Sequence, residues 1–212
     1  MSRKQDRIDL SLQIKYAAVL YKQHLVGRKF MYIFDNRYIE VIFKKENFRH
    51  LTGIDTNLSA NQFYQYAVKG KLETSQIWFN SAHPYDLCVR KVQHIGDIAT
   101  MAGSESFMLE EIKTDTMTYK FGTTDLEFTL CLNREKDQNG TEKSECYVVQ
   151  SLRDEDCFSK STEAYEVTHI FSKKNNEKLY DNLLFMDRSA SIDSLPSGMT
   201  GMIDKARLLS KS

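Results

Sequence analysis

The spacing of hydrophobic residues changes from a helical period in the first half of the chain to a period of two in the second half. Residues 6–25 carry six hydrophobic side chains at helical spacing, which predicts a helix with one buried face. They are Leu10, Ile14, Ala17, Ala18, Tyr21 and Leu25. Gly27 follows shortly afterwards, and a glycine at this point favours the end of the helix.

Two further helices are marked by residues that suit their first turns. Ser59 is followed three residues later by a glutamine, the spacing of a capping box, so a helix is predicted over residues 59–69. Pro84 suits the first position of a helix because it lacks an N–H group that would be unpaired there. The next helix is therefore predicted to begin at His83 and to end by Gly103.

Strand patterns fill most of the remaining chain. Residues 30–34 and 38–43 flank a polar turn, which predicts a β-hairpin directly after the first helix. In the second half, hydrophobic and polar residues alternate along several segments, most strictly over residues 126–133. With a hairpin turn at residues 137–140 and a further strand at residues 165–172, this alternation is typical of an antiparallel meander with one solvated face.

The order of these elements predicts the fold class. Helices first and sheet second indicate an α+β domain, with N-terminal helices, an early β-hairpin and then an antiparallel β-meander. The hairpin is either an addition to the meander or pairs with its edge. Residues 1–186 are expected to form this single domain, and the polar residues 187–212 are predicted to form a flexible C-terminal tail.

Composition is typical of a globular protein and excludes several classes. Hydrophobic residues make up 41% of the chain and charged residues 27%, which is enough to bury a core. The 29 basic and 29 acidic residues balance, which argues against a strongly basic protein that slides on nucleic acid but allows a local basic cleft. No segment reaches the ~18 apolar residues of a membrane span. No apolar core follows the charged N-terminus, so we expect a cytoplasmic protein without membrane contact.

The sequence lacks the common motifs for nucleotide, metal and nucleophile sites. It has no Gly-x-x-x-x-Gly-Lys-Ser/Thr loop, no Gly-x-Gly-x-x-Gly and no Gly-x-Ser-x-Gly. The five histidines do not stand at metal-ligand spacing, and the four cysteines include no Cys-x-x-Cys pair. We therefore predict neither a metal nor another cofactor, and we expect the cysteines to remain thiols.

A basic segment after the second hairpin strand is the best candidate for chemistry. Its polar and basic residues are Lys44, Lys45, Arg49, His50 and Thr52, closed by Gly53. A histidine among cations at the end of a strand suits acid–base chemistry on a phosphate. The alternative is a strand followed by a solvated loop, in which His50 only caps the backbone.

Residues 43–53 (Phe-Lys-Lys-Glu-Asn-Phe-Arg-His-Leu-Thr-Gly) also carry a family resemblance. They resemble the signature of a phage-borne family, the fourth phage branch of the barnase–EndoU–colicin–RelE group of predicted ribonucleases. The segments at residues 58–60, 69–72 and 83–87 fit the same family, and the resemblance covers roughly residues 10–185. It implies a barnase-like layout, with helices packed on one face of an antiparallel sheet, and a nuclease activity in which His50 takes part.

The chemistry of metal-independent RNA cleavage determines which residues are the remaining candidates for catalysis and substrate binding. It needs a base for the 2′-hydroxyl, an acid for the leaving 5′-oxygen, and cations on the phosphate. The resemblance gives His50 the most weight. It also implies a catalytic, phosphate-binding pair at Ser151 and Arg153, because they stand at the end of a meander strand, where folds of this family often place such a pair. The predicted substrate-binding residues are Lys45, Arg49, Thr52, Lys120 and Lys173.

Three other histidines receive structural interpretations. His83 is interpreted as a helix cap, and His94 lies off the buried stripe of its helix and is expected to be solvated. His169 shares a strand face with Val167 and Phe171, which favours a buried, hydrogen-bonded histidine.

Three hypotheses follow for function. The first is a metal-independent endoribonuclease of a phage or mobile element, a toxin or RNA-processing factor that leaves a 2′,3′-cyclic phosphate. Its partners would be RNA and a protein inhibitor (antitoxin) or a phage protein. The second is a non-catalytic module on the same fold that binds protein or nucleic acid, which the zero net charge favours. The third is an unrelated α+β domain that binds a small molecule in an apolar pocket.

Overall fold

A computed structural model describes residues 3–100 and 106–209. It confirms the predicted α+β class, because helices from the first half of the chain pack on one curved sheet. The helices are α1 (Arg3–His24), α2 (Phe48–Thr52), α3 (Ala60–Lys69), α4 (Tyr85–Thr100), α5 (Ser197–Thr200) and α6 (Lys205–Leu209). The strands are β1 (Arg28–Phe34), β2 (Arg37–Ile42), β3 (Phe107–Lys113), β4 (Thr118–Thr124), β5 (Thr129–Lys136), β6 (Glu142–Arg153), β7 (Glu163–Glu166), β8 (His169–Lys174) and β9 (Asn182–Met186).

The helical layer is built around α1, which packs against both α3 and α4. All six residues of its predicted stripe are at most 1% exposed. The predicted capping box of α3 is present, since Gln62 N donates to Ser59 Oγ over 3.3 Å and Ser59 N donates to Gln62 Oε1 over 3.1 Å. Helix α4 begins directly after Pro84, and its predicted end at Gly103 lies outside the described residues. Within the described ranges, no helix combines the length and apolar character needed to cross a membrane.

The described strands form one sheet of nine, in the order β7-β3-β4-β5-β6-β2-β1-β8-β9. All neighbours are antiparallel except β2 and β6, which pair in parallel. The predicted meander is present as β3 to β6, and the early hairpin pairs with its edge through β2. The hairpin nevertheless lies inside the sheet, because β8 and β9 extend the sheet beyond it.

One predicted strand, residues 165–172, is divided between distant parts of the sheet. Strand β7 pairs with β3, whereas β8 pairs with β1, and only Val167 and Thr168 separate the two strands. The sheet must therefore curl until β3 approaches the hairpin. An ion pair across this approach joins Arg37 Nη1 on β2 to Glu110 Oε1 on β3 over 2.7 Å.

Residues 187–209, predicted as a flexible tail, pack on the face of β1 opposite to the helical layer. They contribute the buried side chains Met199, Ile203 and Leu208. The fully buried Tyr180 joins this cluster, and its hydroxyl donates to Glu40 Oε1 over 2.6 Å. The described part of the segment is therefore ordered by hydrophobic packing, whereas residues 210–212 lie outside the described residues.

Candidate active site

A cleft of about 790 Å³ opens between α2, the start of α4 and strands β4 to β6. Its acidic, basic, histidine and serine side chains are Arg49, His50, Asp55, His83, Lys91, Glu135, Ser151 and Arg153. The fold thus brings together His50, Ser151 and Arg153, which the sequence proposed as catalytic residues. These residues come from segments about one hundred positions apart, so the cleft depends on the complete fold.

His50 is exposed on α2, and the contacts of this short helix fix its position. Phe48 and Leu51 on the opposite side of α2 are fully buried in the main core. Asn47, just before α2, donates from Nδ2 to the carbonyl oxygen of Val149 on β6 over 2.7 Å. The helix is therefore tied both to the core and to the strand that carries the other predicted catalytic residues.

The turn after α2 is closed by Gly53, which adopts a left-handed conformation with φ 71° and ψ 5°. Thr52 Oγ1 donates to the carbonyl of Arg49 over 2.7 Å and accepts from Ile54 N over 3.2 Å. Thr52 is fully buried. Its hydroxyl is thus engaged within the turn, so the structure places Thr52 beneath the cleft and not on its surface.

A second histidine, His83, reaches the same cleft from the loop before α4. His83 N donates to Asn80 Oδ1 over 2.7 Å, and Asn80 Nδ2 donates in turn to Asp55 Oδ2. Backbone hydrogen bonds of 2.9 and 3.2 Å between Asp55 and Trp78 hold this loop beside the turn that follows α2. The two histidines are therefore carried by adjacent, hydrogen-bonded segments.

The charges around His83 favour its neutral form. Burial lowers the pKa of His83, and the Lys91 ammonium lowers it further, whereas the Asp55 carboxylate raises it. His50 and Arg153 add smaller effects that also lower this pKa. His83 thus shares one electrostatic environment with the other charged groups of the cleft, and its net pKa lies below the usual value for histidine.

Lys91 is 7% exposed, an unusual degree of burial for a lysine. Within the described residues, its ammonium has no ion pair and no hydrogen bond. Burial lowers the pKa of Lys91, and the charge of Arg153 lowers it further. Arg153 also has a buried Nε atom that has no hydrogen-bond partner in the described ranges, 3–100 and 106–209. Two neighbouring cations without partners destabilise each other, so this part of the cleft is suited to binding an anion.

The local charge of the cleft differs from the zero net charge of the chain. The cationic lining residues are Arg49, Lys91 and Arg153. Of the two carboxylates in the lining, Glu135 is paired with Lys44 Nζ over 2.5 Å, whereas Asp55 accepts from the neutral amide of Asn80 and keeps its charge. Among the described residues, the cleft therefore presents three cations against one uncompensated carboxylate.

The predicted substrate-binding residues are distributed over several parts of the surface. Arg49 lines the cleft, and its Nη1 also donates to a backbone carbonyl over 3.2 Å. Lys45 is exposed beside α2, with its ammonium 3.8 Å from a neighbouring glutamate. Lys120 pairs with a carboxylate of β3 over 2.6 Å and lines an adjoining pocket. Lys173 lies on β8, away from the cleft, and donates to a backbone carbonyl over 2.8 Å.

His83 and Lys91 are the site residues that sequence reasoning missed. His83 was expected to cap a helix, and its position just before Pro84 supports that interpretation as well as a role in the cleft. Lys91 carries a detectable signal, because it falls three residues after Cys88 and four before Ile95 on the buried side of α4. A lysine within a buried helical stripe requires a special environment, and the cleft provides it.

The other histidines lie outside the cleft. The expectation that His94 is solvated is wrong: Nε2 lies 2.9 Å from Asp154 Oδ1, and the ring packs 4.6 Å from the centroid of Phe128. His169 is 1% exposed and its Nδ1 lies 3.0 Å from Thr168 Oγ1, which confirms the predicted buried histidine. Among the described residues, no three histidine, cysteine, aspartate or glutamate side chains are grouped as metal ligands.

Comparison with known proteins identifies the family to which this chain belongs. No curated protein sequence matches the chain significantly, and no solved structure does so either. A family model described as phage-Barnase-EndoU-ColicinE5/D-RelE like nuclease 4 matches residues 13–189, a range that includes every residue of the cleft. The chain therefore belongs to this family of nucleases.

Proposed function

We propose that the protein is a metal-independent endoribonuclease that cleaves RNA through attack of the 2′-hydroxyl on the adjacent phosphate. The observation that carries this proposal is the grouping, in one cleft, of two histidines with two cations that have no partner in the part of the chain that the structure describes. Histidines supply acid–base catalysis near neutral pH, and cations stabilise the charge that develops on a phosphate. The nuclease family supports a nucleic-acid substrate.

In this mechanism the two histidines transfer protons in opposite directions. His83 accepts the proton of the 2′-hydroxyl, a role suited to a ring whose pKa is lowered and which is neutral at pH 7. The 2′-oxygen then forms a bond to phosphorus, and the bond from phosphorus to the 5′-oxygen breaks. His50 donates a proton to the departing 5′-oxygen, which leaves a 2′,3′-cyclic phosphate on one product and a 5′-hydroxyl on the other.

Lys91 and Arg153 bind the phosphate on which this chemistry occurs. Their charges lie side by side without partners in the described residues, so a bound phosphate relieves their mutual repulsion. The negative charge of the phosphate oxygens increases in the transition state, where these cations contribute most. Ser151, on the same strand end as Arg153, is suited to donate a further hydrogen bond to a phosphate oxygen.

The biological setting is part of the same proposal. The family description names a phage origin, which supports a toxin or an RNA-processing factor of a phage or mobile element that acts in the cytoplasm. An active endoribonuclease in that setting requires control, and a protein inhibitor that covers the cleft would provide it. The third sequence hypothesis, an unrelated domain, is excluded by membership of the nuclease family.

The test is cleavage of a mixed pool of labelled RNA by purified protein in the presence of EDTA. Wild-type protein is expected to cleave, and His50→Ala and His83→Ala are each expected to lose about 10²–10⁴-fold in rate. His24→Ala is the matched control, because His24 is exposed at the end of α1 and outside the cleft. Mass spectrometry of the product ends should find cyclic phosphates.

Three outcomes contradict the proposal. They are no cleavage by folded wild-type protein, activity that EDTA abolishes, and equal activity in all histidine variants. Tight binding of RNA or of a protein without cleavage would instead support the non-catalytic alternative, a binding module on the same fold.

A further inference from the structure

We propose that a second pocket beside the cleft binds a phosphate of the same RNA strand, so that the enzyme recognises single-stranded RNA over several nucleotides. This inference rests on the proposed function, because it extends the substrate site of that reaction. The pocket has a volume of about 690 Å³ and lies over strands β4, β5 and β6. Met117 and Gln150 line both the pocket and the cleft, so the two concave surfaces adjoin.

The second pocket carries one positive charge that no carboxylate of the described residues compensates. Its lining contains three cations, Lys120, Arg134 and Lys136, and one carboxylate, Glu142. Lys120 is paired with Glu111 of β3 over 2.6 Å and Arg134 with Glu142 over 2.5 Å, so the uncompensated charge is that of Lys136. Within the described residues, Lys136 is exposed and has no ion pair. A row of cations along an open groove, next to a phosphate-binding cleft, is the usual arrangement for a nucleic-acid backbone.

The guanidinium of Arg134 is held in place by its neighbours but still has N–H groups that can donate to a phosphate. Its guanidinium lies 5.0 Å above the ring centroid of Tyr147, and Nη1 donates to Glu142 over 2.5 Å. The Nε atom of Arg134 is buried and has no hydrogen-bond partner among the residues that the structure describes. A phosphate oxygen in the pocket would provide an acceptor for the guanidinium, which favours bidentate contacts with phosphate.

The distance between the two sites suits a strand that continues beyond the cleft. Ser151 lines the cleft and Tyr147 lines the second pocket, and four residues along β6 correspond to about 13 Å. Even a strand as compact as one strand of a duplex, which advances about 3.4 Å per nucleotide, would reach the second pocket within about four nucleotides of the scissile phosphate, and a more extended single strand would need fewer. At the boundary, the 45% exposed Met117 offers an apolar surface to an intervening base.

A single strand fits these surfaces better than a duplex. The attacking 2′-oxygen must be aligned opposite the departing 5′-oxygen, and a flexible strand can adopt this geometry whereas a base-paired helix is constrained. The cleft and the pocket are adjoining concave surfaces, which suit an unpaired strand that can bend to follow both. Lys120, proposed from the sequence as a substrate-binding residue, belongs to this second pocket.

The experiment compares the ratio of kcat/KM for a single-stranded hexanucleotide to kcat/KM for a dinucleotide in three proteins. In Lys136→Glu this ratio is expected to fall about tenfold, since the dinucleotide fills only the cleft. Lys143→Glu is the control, because Lys143 is exposed on the same β5–β6 hairpin but does not line the pocket. Its ratio should equal that of the wild-type protein. The slope of log affinity against log salt for the hexanucleotide should decrease by about one in Lys136→Glu only.

The failures of the two proposals are distinguishable. If the wild-type protein cleaves neither substrate, the proposed function fails. If it cleaves both and the two lysine variants give equal ratios, the second site is wrong while the proposed reaction stands. A duplex competitor that inhibits as strongly as the single strand would overturn the preference for unpaired RNA.

Discussion

Gly53 packs directly against the ring of His83. A Cβ atom added to Gly53 would lie 3.1 Å from Cδ2 of His83, and 3.3 Å from Cδ of Lys91. The glycine also has a positive φ of 71°, which other residues adopt only with strain. A single backbone position therefore allows the second histidine and the buried lysine to approach the turn that follows α2.

Gly53→Ala is expected to lower the free energy of unfolding by about 1 kcal/mol and to reduce RNA cleavage more than this loss of stability explains. The strain accounts for the first effect, and displacement of His83 and Lys91 for the second. Gly140→Ala is the control, since Gly140 has a φ of 82° but no atom within 4 Å of an added Cβ. Urea unfolding and cleavage assays of both variants give the comparison. Equal activity in the two folded variants would contradict the packing argument.

The parts of the fold that local sequence determines were predictable. The stripe of α1 and the capping box at Ser59 depend on residues within a few positions of one another, and both are present. Strand alternation identifies a buried face but not the neighbouring strand. It therefore could not show that β2 pairs in parallel with β6. Nor could it show that Val167 and Thr168 separate two strands, of which β7 pairs with β3 and β8 pairs with β1.

The same limit applies to the candidate site: residues in recognisable sequence segments could be predicted, and residues that reach the cleft through tertiary contacts could not. His50 lies in the segment that resembles the family, and the same resemblance implied a role for Arg153 at its strand end, so both could be proposed. His83 joins them only through the contact between its loop and Asp55, which is a tertiary contact. Lys173, like Arg153, is a basic residue near the end of a strand, but strand β8 lies away from the cleft in the sheet.

Replacement of Lys91 by methionine is expected to stabilise the protein and to weaken phosphate binding. The substitution removes a largely buried cation that has no partner among the described residues and keeps an apolar side chain of similar length, so the free energy of unfolding should rise by about 1 kcal/mol. Inorganic phosphate should raise the Tm of wild-type protein but have little effect on Lys91→Met. Thermal unfolding with and without phosphate measures both effects.

The exposed Lys71→Met is the control for this change. It should alter stability by less than about 0.5 kcal/mol and leave the phosphate effect unchanged. If Lys91→Met is less stable than wild type and phosphate stabilises both proteins equally, the interpretation of Lys91 as an anion ligand is contradicted.

The titration of His83 gives a prediction about pH. Because burial and then Lys91 lower its pKa, His83 should titrate below about 6.5 in the folded protein. The unfolded chain then binds a proton first as the pH falls, so the contribution of His83 to stability is present above pH ~6.5 and decreases below it. The acid limb of the pH profile of kcat/KM should follow the same group.

NMR titration of the His83 ring protons measures this pKa directly. In Lys91→Met the pKa should rise, because the substitution removes the positive charge that contributes most after burial. The acid limb of the pH profile of kcat/KM for the Lys91→Met variant should move to higher pH together with the pKa of His83. A His83 ring that titrates above 6.5, or one that does not respond to the substitution, would show that the cleft does not favour the neutral form.

The packing of the C-terminal segment gives a final prediction. Ile203 is 5% exposed in the cluster with Tyr180, so Ile203→Ala should lower the free energy of unfolding by about 2–4 kcal/mol. Arg188→Ala, an exposed change in the same segment, should cost less than about 0.5 kcal/mol. Urea unfolding of both variants distinguishes a packed segment from a flexible tail, because in a tail neither substitution has an effect. Since the cluster lies on the face of β1 opposite to the helices, folded Ile203→Ala should cleave RNA at the wild-type rate.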